Sequence, residues 1–590
     1  MNLPLPIAAD RLIRLGRFHW LTLPPLSAIL PQMTTRPWLS HYDPGVPHQL
    51  DYPAVPVFYF LNEAARLCPE RPCLIFKDET RSYREVAAQT DRLVAALSDL
   101  GVRKGERLGI FMPNCPEFVL AYFAILKAGA VVVAINPLYT PPEIVHQVND
   151  AGIEMVFCAG PLYERIKAAQ PETNIHRIIV TGEAAPRSGD LHFNNLSNQA
   201  TDPHRNETKE ENITSGSSGP SGSFGSLVSK SQISPDDIAL FQYTGGTTGI
   251  AKAAVARHRN LVANALQFKA WMSTLEEEQE TFLLALPVYH IYGMVCGMLL
   301  GMALRASLVI SPNPRDIPDL LSAIQTHHVT YFPAAPTLYN AINNAPEVSS
   351  GKVDLSSIKA CISGSAALMK QTKEKFESLT SGRIVEGYGL SEAPTATHCN
   401  PLQGENRIGS VGLPLPDVDA RIISLEDGVT EMAPGEAGEL VIRSPQVMLG
   451  YHNMPQETEL ALRDGWLYTG DIARMDEQGY FYIVDRKKEL IKPGGMEVWP
   501  REVEEVISAH PGVAEVAVTS IPDAYRGETI KAWVVLKPGV ALTGPDIQAW
   551  CRERLAPFKV PTELAFWTEL PKSTLGKVLK RVLVEGKRNQ

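Results

Sequence analysis

The sequence predicts an α/β protein in two parts, a large N-terminal α/β domain of layered sheets and helices followed by a small α+β domain. Between residues 54 and 180, amphipathic helical segments alternate with short β-rich runs, which is typical of an α/β layer architecture. After about residue 486, two helical patterns flank two β-rich runs in a compact tail. The chain of 590 residues also exceeds a single ordinary core, so more than one domain is expected.

The elements of the first part follow from periodicity and from turn residues. The run SYREVAAQTDRLVAALSDLGV is amphipathic at helical spacing and ends at a glycine, whereas RLGIFMPN predicts a strand and a turn. EFVLAYFAILKAGAVVVAINP predicts a helix, a turn and a buried strand. This order indicates consecutive strands joined by helices.

Two apolar stretches do not predict membrane segments. Residues 281–304 are interrupted by Pro287, His290 and glycines, which favours a strand, a loop and a buried helix. The apolar patch in residues 1–32 is broken by prolines and has no evident cleavage site. We expect neither a signal nor an anchor.

Composition sets the expected boundaries. Residues 184–232 turn to Ser, Gly, Asn, Thr and Glu, and without apolar residues they predict a flexible surface insertion. The expected divisions are an N-terminal extension and lead-in at 1–48, a large domain at 49–486 and a C-terminal domain at 487–590. In the tail, the predicted helices are PREVEEVISAHPGV and GPDIQAWCRERLA, and the predicted strands are AEVAVTSI and KAWVVLKP.

Charge and cysteine usage limit the function classes. The net charge of −10 argues against nucleic acid as the main partner. The eight cysteines are scattered without a C-x-x-C pair or the spacing of a secreted scaffold, which favours a reducing, cytoplasmic compartment. No feature of the sequence indicates an oligomeric state.

The stretch YTGGTTGIAKAA, residues 243–254, predicts a phosphate site. Its glycines allow backbone N–H groups to converge beside threonine hydroxyls and one cation, Lys252. It is not a Walker loop, because Ala253 stands where the hydroxyl residue would follow the lysine, and it does not match G-x-G-x-x-G. A glycine-rich surface turn is the alternative.

A second stretch, EGYGLSEAPT, follows a probable strand and has two interpretations. Its GLSEA approaches the G-x-S-x-G elbow of serine hydrolases, but Pro394 would start a poor helix after Ser391. The other interpretation places Tyr388 against a base and Glu392 as an oxygen ligand of magnesium.

Three further charged residues lie in separate motifs. Asp471 lies in a predicted glycine turn and could accept ribose hydroxyls, and Arg486 follows a strand where it could hold sugar or phosphate. Lys577 lies in a predicted loop, PKSTLGKVLK. Taken singly, they are better explained as a turn cap, a surface ion pair and a solvated charge than as catalytic residues.

Taken in order, YTGGTTG with its lysine, GYGLSE, YTGD, DRKKELIK and the C-terminal P-K-S-x-x-G-K loop resemble the acyl-adenylate-forming superfamily. The stretch DGWLYTGDIARMDEQGYFYIVDRKK resembles the signature of long-chain fatty acyl-CoA synthetases. The resemblance implies the adenylate-forming fold with a mobile C-terminal domain, and ATP, Mg²⁺, CoA and a fatty acid as small-molecule ligands. The resemblance is also compatible with peripheral contact with a membrane.

The resemblance implies roles for the first step, in which ATP and a carboxylate give an acyl-adenylate and pyrophosphate. Lys577 would bridge the carboxylate and the α-phosphate, Ser391 would reach the α-phosphate, and Glu392 would position Mg²⁺. Tyr388 would cover the adenine. The residues expected to contact ATP or AMP are Thr244, Gly245, Gly246, Thr247, Thr248, Gly249, Lys252, Gly387, Tyr388, Gly389, Asp471 and Arg486.

For the second step, in which the CoA thiol displaces AMP, the resemblance implies a domain rotation. Lys488 would be the hinge, and Gly494 and Gly495 would let pantetheine pass close to the backbone. The acyl pocket is expected near His290, although a buried packing histidine explains that residue equally well. The small residues expected to leave room for the acyl chain are Gly364, Ser365 and Ala366.

The sequence departs from its relatives in three places. Ala251 and Ala253 replace a proline and a glycine beside Lys252, so an altered ATP affinity is expected, and Asp417 replaces a common glycine. The segment beginning at Met33 resembles the usual start of bacterial members, so residues 1–32 are expected to be an extension or a start-site artefact.

Several alternative functions remain open at this stage. An acyl-AMP ligase that loads a carrier protein, or a CoA ligase for an aromatic or medium-chain acid, would share these motifs. The intact DRKKELIKPGG segment favours CoA. A luciferase has less support because nothing in the sequence indicates oxygen chemistry, and a nucleotide-binding protein without catalysis would be expected to lack Lys577 or Glu392, which are both present. A serine hydrolase has the least support.

Overall fold

A computed structural model describes residues 36–198, 233–244, 251–493, 496, 498–523, 525–573 and 576–585, and of Lys488 only the backbone. Most of the predicted N-terminal extension lies outside these ranges. So do residues 199–232 of the predicted insertion.

The described strands fall into four sheets. They are β1 (Pro72–Phe76), β2 (Glu79–Ser82), β3 (Arg107–Phe111), β4 (Val131–Ala134), β5 (Met155–Cys158), β6 (Arg177–Val180), β7 (Leu191–His192), β8 (Ile238–Thr244), β9 (Lys252–Arg257), β10 (Thr281–Leu284), β11 (Ser307–Ile310), β12 (Tyr331–Ala334), β13 (Ala360–Ser363), β14 (Arg383–Leu390), β15 (Ala393–Cys399), β16 (Leu413–Pro414), β17 (Asp419–Ile423), β18 (Ala437–Arg443), β19 (Gly450–Tyr451), β20 (Leu462–Arg463), β21 (Trp466–Met475), β22 (Phe481–Arg486), β23 (Val513–Asp523), β24 (Gly527–Leu536) and β25 (Glu563–Trp567).

The described α-helices connect and cover these sheets. They are α1 (Tyr59–Leu67), α2 (Tyr83–Asp99), α3 (Pro116–Lys127), α4 (Pro141–Ala151), α5 (Tyr163–Ala169), α6 (Phe193–Ser197), α7 (His258–Trp271), α8 (Leu300–Ala303), α9 (Ile317–His327), α10 (Pro336–Asn343), α11 (Pro346–Ser349), α12 (Lys370–Leu379), α13 (Pro455–Ala461), α14 (Pro500–Ser508), α15 (Gly544–Arg552) and α16 (Lys580–Glu585).

Two large sheets form the layers that the alternating sequence pattern predicts. One has the order β19-β9-β8-β4-β3-β5-β6-β7, and the other has the order β16-β15-β14-β13-β12-β10-β11-β1-β2. Their central strands are parallel and joined by helices, as in β3, β4 and β5. Strand β4 is buried at every residue, which explains its continuous run of Val131, Val132 and Val133.

Local signals explain where the helices begin and end. The hydroxyl of Ser82 accepts a hydrogen bond from the backbone N–H of Glu85, whose carboxylate accepts one from the N–H of Ser82, which starts α2 as a capping box. Helix α4 starts with the same device and ends at Gly152, in the left-handed conformation with φ of 63°. Residues 281–304 form β10, a π-helix over Gly293–Leu299 and α8, which confirms the predicted buried strand and helix.

An antiparallel sheet with the order β17-β18-β21-β20, to which β22 adds by pairing with β21, completes the large unit. One apolar core joins it to both parallel sheets. The N-terminal segment crosses this unit: the Trp38 ring packs edge-on against Phe481 at 6.2 Å between centroids. The Tyr42 hydroxyl donates to the carbonyl of Pro414 at 2.6 Å.

The tail has its own sheet, with the order β23-β24-β25, and its own apolar clusters, whose fully buried members lie between Ile491 and Leu583. The predicted helices and strands of the tail are present as α14, α15, β23 and β24. Strand β25 and helix α16 were not predicted. The domain boundary at residues 486/487 stays a prediction.

The flexible insertion was predicted to begin too early. Residues 191–197 form β7 and α6, with Phe193 and Leu196 buried, so the prediction is wrong for this part of 184–232. Two apolar residues are enough to fix a short strand and helix at the edge of an existing sheet. In the described part of the chain, no helix is both long enough and apolar enough to span a membrane.

Candidate functional site

The predicted phosphate stretch links two neighbouring strands. Thr244 ends β8 and pairs with Lys252, the first residue of β9. Residues 245–250, which include Gly245, Gly246, Thr247, Thr248 and Gly249, lie outside the described residues. Ala253 is a buried strand residue paired with Tyr243, a position where alanine is more favourable than glycine.

Lys252 belongs to a chain of polar contacts that ends at Glu392. Its ammonium pairs with the carboxylate of Glu457 and lies 5.4 Å above the ring of Tyr451. The Tyr451 hydroxyl donates to Oε1 of Glu392 at 2.7 Å. Burial, and then the Glu392 carboxylate, raise the pKa of Tyr451 above its usual value, so this hydroxyl stays a donor. The phosphate-loop lysine and the predicted magnesium ligand are therefore neighbours.

The residues at Glu392 fit a magnesium ion bound together with a nucleotide. Among the described residues, no group of three or more His, Cys, Asp or Glu side chains forms a preformed metal cage. Mg²⁺ usually takes one or two protein carboxylates and fills its remaining positions with phosphate oxygens and water. A single carboxylate near Lys252, at the end of the predicted phosphate stretch, meets that requirement.

The GYGLSE segment forms a strand and a turn. Gly387, Tyr388 and Gly389 belong to β14, Ser391 and Glu392 lie in a turn, and β15 then runs back antiparallel. A Cβ at Gly389 would lie 1.7 Å from the carbonyl oxygen of Thr395, so no other residue fits. Because no helix follows Ser391, the serine-hydrolase interpretation is wrong: a nucleophile elbow joins a strand to a helix.

Tyr388, Asp471 and Arg486 form one hydrogen-bonded group. The Tyr388 hydroxyl donates to Oδ2 of Asp471 at 2.6 Å, and Nε of Arg486 lies 3.1 Å from Oδ1. The Asp471 side chain is 6% exposed, whereas the Arg486 side chain is 39% exposed. The Asp471 carboxylate raises the pKa of Arg486, and burial followed by Asp471 raises that of Tyr388. The group presents a fixed anion with one exposed cation beside it.

The strand position of Asp471 corrects the sequence prediction. Asp471 lies within β21, where it pairs with Arg486 of β22, and not in a glycine turn. Gly470, with φ of +71°, bends the strand one residue earlier. The glycine therefore produces a local bend in a continuing strand, and the neighbouring strand supplies Arg486.

The Lys577 loop lies against the large unit. Gly576 has φ of +76°, and a Cβ there would be 2.7 Å from Oγ1 of Thr337 in α10. Burial raises the pKa of Glu489, but the charges of Lys580, Lys577 and Arg486 together hold it below its usual value. The charges of Lys577 and Arg486 therefore act on the same carboxylate, that of Glu489, although the two residues belong to separate motifs of the sequence.

The predicted acyl-site residues lie around Tyr292. His290 is half-buried; its Nδ1 accepts from the N–H of Tyr292 at 3.3 Å, and burial lowers its pKa to about 4. A Cβ at Gly364 would meet the Tyr292 ring at 3.2 Å, so this glycine makes room for the tyrosine and not for an open space. Ser365 and Ala366 are exposed.

The predicted hinge and CoA residues are only partly described. The backbone of Lys488 lies in a single 3₁₀ turn, Lys487–Glu489, directly after β22. Gly494 and Gly495 lie outside the described residues. Several residues near the site were not predicted, because their contacts are with distant parts of the chain and leave no local signal in the sequence. They are Tyr292, Thr337, Tyr451, Glu457, Glu489 and Lys580.

Comparison with known proteins defines the class. The AMP-binding enzyme family matches residues 61–452, and the AMP-binding enzyme C-terminal domain matches residues 502–577. The chain belongs to the AMP-binding enzyme family. This family implies formation of an acyl-adenylate followed by acyl transfer to CoA, so the predicted superfamily and class of enzyme are confirmed.

Individual relatives are similar over nearly their whole length. The chain is 40% identical over 553 residues to the long-chain-fatty-acid–CoA ligase of Bacillus subtilis strain 168, covering 93% of this chain and 98% of that protein. It is 36% identical over 551 residues to the enzyme of the same name from Salmonella typhimurium, covering 92% and 97%.

Solved structures confirm the predicted fold class. The anthranilate CoA ligase AuaEII in complex with anthranoyl-AMP superposes with a TM-score of 0.79 at 28% identity, covering 90% of this chain and 97% of that one. ATP-bound MatB from Rhodopseudomonas palustris gives a TM-score of 0.75 at 28% identity, covering 90% and 99%.

Proposed function

We propose that the protein converts a long-chain fatty acid, ATP and CoA into acyl-CoA, AMP and pyrophosphate. A carboxylate oxygen attacks the α-phosphorus and pyrophosphate leaves; the CoA thiol then attacks the acyl carbonyl, loses its proton and expels AMP. The observation that supports this assignment most directly is the Tyr388–Asp471–Arg486 group, with the Lys577 loop seated nearby on α10.

In the first step, two anions must meet. We assign Lys577 to the oxygens of the carboxylate and the α-phosphate, where its charge offsets their repulsion as the new bond forms. Lys252 and the threonine hydroxyls of its loop bind the β- and γ-phosphates. Glu392 is the side chain that would hold Mg²⁺, which neutralises phosphate charge when bound. Ser391, in the same turn, donates to the α-phosphate.

The nucleoside is held by the Asp471 group. Asp471 accepts from the ribose hydroxyls in exchange for one of its present partners, and Arg486 supplies the exposed cation. Tyr388 covers the adenine, and Gly387 and Gly389 allow the backbone of β14 to approach it. Only glycine fits at position 389, because a Cβ there would collide with the carbonyl oxygen of Thr395.

For the second step, we assign Lys488 to a hinge that carries Lys577 away from the reacting atoms. The turn Lys487–Glu489 is short and follows the last strand of the large unit, which suits a pivot. Gly494 and Gly495 are assigned to the path of the pantetheine arm. His290, neutral at pH 7 because burial lowers its pKa to about 4, lies at the acyl entrance with Ser365 and Ala366.

The preference for long chains is supported by the names of the full-length relatives at 36% and 40% identity. The aromatic alternative is supported only by a solved anthranilate ligase at 28% identity. We further propose a cytoplasmic location, since all eight cysteines are free thiols, and peripheral membrane contact, with which the family resemblance is compatible. Fractionation of native cells into soluble and membrane pools tests that location.

The experiment is pyrophosphate release from ATP and Mg²⁺ with carboxylates from acetate to oleate and one aromatic acid, each with and without CoA. We expect a maximum at long chains that requires CoA for turnover. Parallel reactions with a holo-carrier protein test the acyl-AMP ligase. Turnover with carrier but not CoA, or with the aromatic acid alone, would contradict the proposal and retain the adenylating class.

A further inference from the structure

We infer that Lys580 is a positioning residue for adenylation: it holds the Lys577 loop in place and occupies a carboxylate that would otherwise attract Lys577. The inference rests on the proposed role of Lys577. It concerns a residue three positions further along the chain, at the start of α16.

Lys580 joins three separate segments of the tail. Its Nζ lies 2.9 Å from Oε2 of Glu489 and 2.9 Å from Oε1 of Glu504. Glu489 belongs to the turn that contains the proposed hinge, and Glu504 belongs to α14. The Lys580 side chain is only 23% exposed, so these contacts are shielded from water and stronger than surface ion pairs.

The other end of the loop is anchored in the same way. Nζ of Lys572 lies 2.6 Å from Oε1 of Glu515 in β23, and Lys572 forms an antiparallel bridge with Val578. Within the loop, Ser573 N–H donates to the carbonyl of Lys577 at 2.7 Å. Lys577 is therefore presented from a hairpin whose two ends are each tied by a lysine to the body of the tail.

Glu489 links the anchored Lys577 loop to the residues proposed to act in adenylation. Lys580 hydrogen-bonds to its carboxylate, and the charges of Lys577 and Arg486 also act on that carboxylate. When Lys580 is removed, Glu489 loses its hydrogen-bonded cation. Lys577 is then drawn towards Glu489 and away from the substrate carboxylate and α-phosphate, where a displacement of about 1 Å can cost about 100-fold in rate.

The test compares the two half-reactions of Lys580→Met, which keeps an unbranched side chain one atom shorter and removes the charge. We expect adenylation to fall about 10- to 100-fold in kcat with little change in the KM for ATP. Thioester formation from a supplied acyl-adenylate should stay within about two-fold. Lys580→Arg should restore most of the adenylation rate.

The neighbouring Arg581 provides a matched control. Its guanidinium lies 2.6 Å from Glu585 on the same helix, and its side chain is 51% exposed. Arg581→Met should leave both half-reactions unchanged. The double variant Lys580→Met, Glu489→Gln should recover part of the adenylation rate, because no carboxylate remains at position 489 to attract Lys577. A purely structural anchor predicts no such recovery.

Equal loss of both half-reactions in Lys580→Met, with no recovery in the double variant, would overturn the inference. If Lys580→Met does not fold, Glu504→Gln removes one of the two anchors. It should lower adenylation about two- to five-fold without affecting thioester formation, and an unchanged adenylation rate would also overturn the inference. Full adenylation activity in Lys577→Ala would instead refute the proposed function of that lysine.

Discussion

At the scale of single residues, Asp417 shows how a side chain can support a backbone conformation that suits glycine. Its φ is +61°, in the left-handed region that favours glycine. Its Oδ2 accepts from the N–H of Leu50 at 2.9 Å and from the hydroxyl of Tyr52 at 2.8 Å. The carboxylate therefore ties the N-terminal segment to a loop in the large unit.

We expect Asp417→Ala to lower the free energy of unfolding by about 2–4 kcal/mol, since it loses two charge-assisted hydrogen bonds and keeps a positive φ. Urea denaturation measures the change. Asp417→Gly also loses the carboxylate acceptor, but glycine is not strained at this φ. It should therefore be less destabilising than Asp417→Ala. A glycine variant less stable than the alanine variant would contradict this account.

Lys577 gives the sharpest catalytic prediction for a single residue. Lys577→Ala should abolish acyl-adenylate formation and largely spare thioester formation from supplied acyl-adenylate, because the lysine charge is needed only where two anions meet. The two half-reactions are measured separately by pyrophosphate release and by thioester yield. Loss of both would count against this division of labour.

At the scale of secondary-structure elements, α13 and β9 share the Lys252–Glu457 pair. The ammonium must leave this carboxylate, or share it, to bind phosphate. Glu457→Gln should therefore lower the KM for ATP about two- to five-fold with little change in kcat, the modest size reflecting a half-exposed pair. Glu459→Gln, on the exposed side of α13, is the control. An unchanged KM in Glu457→Gln would show that the pair does not compete with ATP.

The turn after β22 carries the hinge prediction. Lys488→Pro fixes one backbone angle and should hold the tail in one arrangement. If that is the arrangement with Lys577 near the large unit, adenylation stays within about three-fold while thioester formation falls about 100-fold or more. Lys488→Ala, which leaves the backbone free, should affect neither step to this extent. Normal thioester formation by the proline variant would exclude a hinge at this residue.

The elements differ in how well the sequence predicts them. Periodicity and caps predict α2, α3 and β4 because their apolar residues and turn signals are local. Helix α6 was missed because Phe193 and Leu196 are its only strong apolar signals, and the edge of a sheet supplies the remaining order. The motifs predicted candidate ligands for ATP, but their partners Glu457, Glu489 and Tyr451 come from distant segments.

At the scale of the whole molecule, buried ionisable groups predict acid sensitivity. Burial lowers the pKa of His258 to about 4 and that of His398 to about 3, so both are neutral in the folded protein and resist protonation. Because these histidines bind protons near pH 6.5 in the unfolded chain, the folded state loses stability progressively as pH falls from 6.5 towards their lowered pKa values. Burial raises the pKa of Glu386 to about 7, so this group favours folding as pH falls from 7 to 4.5.

As pH falls, the stability lost through the two histidines exceeds the stability gained through Glu386. At about 1.4 kcal/mol per pKa unit, these three groups give a net loss on the order of 4 kcal/mol from pH 6.5 to 4, to which protonation of His290 adds. Thermal unfolding between pH 4 and 8 measures it. Glu386→Gln should be more stable than the wild type at pH 8 and should steepen the acid loss. A melting temperature that rises towards pH 4 would contradict the prediction.

The contact between the two ends of the large unit has a consequence for biosynthesis. Tyr42 donates to a carbonyl 372 residues further along the chain. At about 5–20 residues per second, translation takes roughly 20–70 s to deliver that partner. Throughout this interval the Tyr42 hydroxyl lacks its carbonyl partner, and Trp38 waits still longer for the ring of Phe481. Their burial is therefore among the last events of synthesis, and the growing chain needs protection from aggregation until then.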